Sequence, residues 1–208
     1  MGVSVNGFAT KANKEIAIIE LENACKLVNP NATIVFEREA IFEELIQRKG
    51  ADNIIDIYST KNGSILIMSH KLFEKFSRWE LSKSYDIDYF DICETSMSHR
   101  FAKFSEGKET ECMNIWDSGS AKDIAGQNYL DIKQDEDVFF SAFPRLTDKY
   151  TEQTFHQIEL DTKVERYNFV ISEVSNNESE NITENLENRS DDKVNDGNRK
   201  GFWKRLFS

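Results

Sequence analysis

The stretch NIIDIYSTKNGSILIMS, residues 53–69, constrains the fold more than any other part of the chain. Its apolar period is two, and the period breaks once, at Lys61-Asn62-Gly63. An Asn-Gly pair between two such runs suits a type I′ hairpin, whose central positions both need positive φ. With Asn62-Gly63 as the turn, Ile57 faces Met68 and Tyr58 faces Ile67. Both faces of the hairpin then carry apolar side chains. That places it in the middle of a sheet covered on both sides.

The neighbouring segments supply partners for such a sheet. YDIDYFDICE (85–94) reads as a strand, and residues 96–118 read as a second hairpin turning at Glu106-Gly107. A two-residue loop there sets Phe101 against Cys112, His99 against Asn114 and Met97 against Trp116, in a register that one extra residue would overturn. KVERYNFVI (163–171) reads as a closing strand. Ala17, Leu21, Ala24, Cys25 and Val28 share one face of a helix over 13–28, which Pro30 ends. After a short apolar link at 32–36, Ile41, Leu45 and Ile46 share a face of a second helix, with Gly50 past its end. Asp135, Glu136 and Asp137 suit the start of a late helix carrying Phe139, Phe143, Leu146 and Tyr150, with Pro144 as a kink or a first residue. The fold class is α+β: an antiparallel sheet of five or six strands built from hairpins, with two N-terminal helices and one late helix packed on it.

The pattern stops near residue 172. Residues 173–198 carry eight acids against Arg189 and Lys193, with no aromatic side chain. Such a segment buries too little to offset its chain entropy and is expected to be disordered. The expected organisation is a globular domain over 1–172, an acidic linker over 173–198, and a terminal segment over 199–208. Within 1–172, 29 acidic residues stand against 20 basic ones, a balance that disfavours non-specific binding to nucleic acid. The first residues show no signal-peptide pattern, and no apolar run is long enough to span a bilayer. Three cysteines without a C-x-x-C spacing fit reduced thiols, so the expected compartment is the cytoplasm.

Motifs for chemistry are sparse. No P-loop, dinucleotide fingerprint or zinc-protease helix occurs, and no cofactor is expected. Cys93 or Cys112 with His99 is the one nucleophile-and-base arrangement the hairpin register allows, because a thiolate needs a neighbouring base near neutral pH. Asp86 and Asp88, two apart on a strand, are the candidate pair for a hard cation. The terminal segment reverses the charge of the rest: four basic residues, no acid, and Phe202, Trp203, Leu206 and Phe207 forming one stripe beside Lys204 and Arg205. Such a stripe suits a groove on a partner, an anionic membrane surface, or the protein's own domain.

These features point to a non-enzymatic, acidic interaction protein, an immunity- or inhibitor-like adaptor. Its partner would be a protein, a basic one by charge, with residues 202–207 as a tethered second contact. The alternatives are a small enzyme using the Cys/His pair or an Asp-bound metal, and a subunit of a larger assembly or a peripheral membrane protein.

Overall fold

A computed structural model describes residues 4–41, 43–44, 52–73, 75–76, 78–93, 95–119, 121–151 and 161–172. In chain order the elements are β1 (Ser4–Thr10), α1 (Lys14–Lys26), β2 (Ala32–Ile41), β3 (Ile54–Thr60), β4 (Gly63–Met68), α2 (His70–Phe73), α3 (Arg78–Ser84) and β5 (Ile87–Cys93). They continue with β6 (Ser98–Ser105), β7 (Lys108–Asp117), β8 (Lys122–Gly126), α4 (Val138–Thr147), a 3-10 turn (Asp148–Tyr150) and β9 (Lys163–Ile171).

The nine strands form one antiparallel sheet in the order β2-β9-β3-β4-β1-β5-β6-β7-β8. Every residue of β4 is buried, as its apolar alternation on both faces requires. On one face α1 lays Ala17, Leu21, Ala24 and Cys25 on the strands, joined by Leu72, Phe73, Phe76 and Leu81 from the α2–α3 region. On the other face α4 inserts Phe139, Ala142, Phe143 and Leu146 over Phe90, Phe101, Met113 and Ile115. Burial of each large side chain stabilises by about 1.5–3 kcal/mol. Asp137 caps α4 by accepting from the Phe140 N–H at 3.0 Å.

The two sheet edges are guarded by side chains. On β2 the Ile34 N–H donates to the Glu22 carboxylate at 2.9 Å, so that group points away from β9 and is already engaged. Further along β2, the pairing shifts between Phe36 and Arg38. On β8 the Lys122 N–H donates to Gln134 Oε1 at 2.7 Å, and Gln134 Nε2 donates back to the Lys122 carbonyl at 2.9 Å. The side-chain amide stands in for one residue of a further strand. Asn128 does the same to Ile132, donating at 2.9 Å and accepting at 2.9 Å.

Several expectations change. The sheet has nine strands among the described residues, not five or six. β1 carries no clear alternation in the sequence, because Asn6 and Gly7 interrupt it. Gly7 is required there, because a Cβ would lie 2.0 Å from the Leu66 carbonyl oxygen. Residues 38–41, expected to open the second helix, extend β2 instead, because β9 pairs with them from Arg38↔Arg166 to Ile41↔Lys163. Glu43 and Glu44 are helical, and the rest of that helix, 42 and 45–50, lies outside the described residues. The 54–68 hairpin turns at Lys61-Asn62, with Thr60 opposite Gly63, so Ile57 faces Leu66 and Tyr58 faces Ile65. Positive φ falls on Gly63 alone in that turn, so it is not type I′. The two-residue shift leaves both faces as expected. α4 runs through Pro144, which is therefore not its first residue. Val28 is 60% exposed, beyond the end of α1.

Candidate functional site

The β6–β7 hairpin decides which candidate residues meet. Its tip is as expected: Glu106 (φ 51°) and Gly107 (φ 74°) make the turn, and Ser105 faces Lys108. The register then slips by one between Phe104 and Lys103, leaving Thr110 as a bulge. Beyond the bulge Phe101 faces Met113, His99 faces Ile115 and Ser98 faces Trp116. A slip of one residue exchanges the two faces of a strand. His99 therefore lies on the α4 side with Met113 and Ile115, whereas Cys112 lies opposite Ala102 on the α1 side. Cys93 pairs with Ser98 and Ser4, one position out of phase with the Ile92↔His99 pair. Neither thiol shares a face with His99, so the expected nucleophile and base are not brought together.

The cysteines differ from one another. Burial pushes the Cys25 thiol up to about 12. Cys93 is half-buried, and hydrogen bonding with the Ser96 side chain holds its thiol below the ordinary value, against partial burial and with help from Ser4.

Asp86 and Asp88 take different partners, although both carboxylates act on Tyr150. Asp86 precedes β5, is exposed, and accepts from the Ser105 hydroxyl at 2.5 Å. Asp88 is buried on β5, where it takes Lys149 Nζ at 2.5 Å and the Tyr150 hydroxyl. Among the described residues no group of three or more His, Cys, Asp or Glu side chains is placed to hold a metal ion. No described helix is long and apolar enough to cross a membrane. The terminal contact residues Phe202, Trp203, Lys204, Arg205, Leu206 and Phe207, and the linker at 173–198, lie outside the described residues.

The described surface instead gathers features at the corner where β6 begins and β7 ends. Met97 and Trp116 are each 50% exposed there. Met97 occupies the left-handed region (φ 52°), and its carbonyl accepts from the Asp117 N–H at 2.8 Å. A left-handed backbone disfavours a long side chain, so a methionine held open to solvent in that conformation carries a local energetic cost.

Two clefts flank this corner and share Met97 and Asp117. One, of about 330 Å³, has His99, Asp137 and Phe139 in its walls. The other, of about 460 Å³, is lined by Trp116, Lys122 and Asp123. Lys122 is the basic residue of the second cleft, and its side chain is only 7% exposed, 3.3 Å from Asp117. Partial burial works against ionising Asp117, but the Gly119 N–H and Lys122 outweigh it and hold its carboxyl below the usual range. With that pair internally neutralised, the exposed Asp123 and Asp137 give the corner its negative sign.

Met97 and Trp116 were singled out in the sequence only as a cross-strand pair. The exposure of Trp116 follows from the bulge, which turns it to the face opposite α4. The chain matches no protein-family model, no curated protein and no solved structure.

Proposed function

We propose that this protein is an acidic, non-enzymatic binding module that docks a basic protein partner at the Met97–Trp116 corner. The observation that carries the reading is the pairing of two half-exposed large apolar side chains with flanking carboxylates and a buried, neutralised lysine. Aromatic and methionine side chains are enriched at interfaces, and charge around them selects the partner. The basic-aromatic segment 199–208 is a second contact in this proposal. Two weak contacts on one chain raise effective concentration without a new interaction at either.

Affinity enrichment from the native host with the full chain, read by mass spectrometry, tests the reading. A basic protein should be recovered, and its yield should fall roughly tenfold for Met97→Ala/Trp116→Ala, the loss expected when interface anchors are truncated. Deletion of 199–208 should lower the yield further. Equal recovery by the double variant, with its thermal transition intact, would remove the corner from the proposal.

A further inference from the structure

We propose that β8 binds its partner by strand addition, taking an extended basic segment antiparallel to Lys122–Gly126. The inference rests on the reading of the corner as a docking site and names how a partner engages it.

The backbone argument starts at Lys122. Its N–H and C=O bond to Gln134 rather than to β7, so this residue faces the open edge. In an antiparallel strand the outward-facing residues alternate, so Ile124 and Gly126 face the same way. Among the described residues no strand lies beside β8, and no hydrogen bond reaches the outward groups of Ile124. Gly126, at φ 90°, turns the chain out of the strand and ends the edge. The result is a short opening centred on Ile124, with its first rung filled by an amide and its last closed by a glycine. At the opposite edge, β2 has Glu22 on the Ile34 N–H and a register shift between Phe36 and Arg38.

So few backbone bonds bind weakly alone, so the flanking side chains decide what enters. A residue opposite Asp123 would share the face of Trp116, which is Asp123's own partner on β7. A lysine or arginine there meets an exposed carboxylate and a half-exposed indole together. The next residue would lie opposite Ile124 on the α4 side and should be apolar. The occupant is therefore an extended protein segment with a basic and a β-branched residue in succession.

The test uses the full chain and a synthetic peptide alternating arginine and valine, with amide hydrogen exchange and chemical shifts as readouts. Exchange at Ile124 should slow by roughly tenfold at saturation, as a newly bonded amide does. N-methylation of the peptide residue facing Ile124 should abolish the effect with its side chains unchanged. Ile124→Pro, which removes an outward N–H of the kind an edge strand tolerates losing, should abolish the chemical-shift changes the peptide causes at Asp123 and Ala125. A peptide with glutamate for arginine should not bind.

Equal binding of the N-methylated peptide overturns strand addition. If that binding is still lost in Trp116→Ala, the corner stands as a docking site without it. Absence of binding by the alternating peptide overturns the inference. The corner reading is then judged by the native partner's recovery alone.

Discussion

At the scale of single residues, backbone conformation and neighbours decide what each side chain can do. Met97 shows this most directly, because its left-handed backbone favours glycine. In Met97→Gly, relief of that strain and the larger entropy of an unfolded glycine oppose each other, so stability should shift by less than about 1 kcal/mol. The urea midpoint should barely move, while partner recovery falls as it does for Met97→Ala. A large loss of stability would mean that Met97 holds the turn rather than a partner. The cysteines make the complementary point. Three thiols are visible in the sequence as a class, but only position separates the inert Cys25 from Cys93, whose hydroxyl neighbours favour the thiolate.

At the scale of elements, strands with strong alternation were legible and those without it were not. The 54–68 hairpin stands out because two apolar runs flank one Asn-Gly turn, and the 98–117 hairpin because its apolar residues lie on either side of Glu106-Gly107. β8 reads KDIAG and carries no such pattern; it is a strand only because β7 pairs with it. Residues 38–41 have helix-compatible spacing, but pairing with β9 overrides it. Cys112 and His99 fail to meet because of the Thr110 bulge, which no composition or period announces, whereas the β5–β6 register keeps Cys93 from His99. The role of the bulge can be checked by deleting Thr110. That deletion joins Glu109 to Glu111 and keeps the observed pairs beyond them, from Lys103↔Glu111 to Ser98↔Trp116, so the faces of β7 stay as they are. The variant should keep a cooperative transition in calorimetry. Loss of that transition would show that the bulge itself holds this part of the sheet.

For the whole molecule, the ionisable groups predict a stability plateau bounded on both sides. Partial burial opposes ionisation of Glu22 and Glu165, but Lys26 and the Ile34 N–H outweigh it at Glu22, as Lys14 and Tyr167 do at Glu165. Asp117 behaves likewise. Their folded values lie below the unfolded ones, so the unfolded chain takes up protons first. This stabilisation is complete above about pH 5 and lost as pH falls through the unfolded values near 4 and beyond. Burial raises Cys25 from 9.0 to about 12, so here the unfolded chain releases its proton first. That contribution is complete below about pH 8 and lost as pH rises. Tyr150 is also raised, by burial and by Asp88, and acts in the same sense. Urea midpoints should be level near neutrality and fall at both extremes. A midpoint still rising below pH 4 would contradict the assigned ion pairs.

The paired guards on the sheet have a consequence for how the protein coexists with its own copies. β2 and β8 are different edges of one molecule, so contact between them would be head to tail and would not close on itself. Stripped of the Glu22 carboxylate and the Gln134 amide, each molecule would offer its neighbour a template at either end, and association would have no built-in stopping point. Glu22 and Gln134 each close one rung of an edge against such growth.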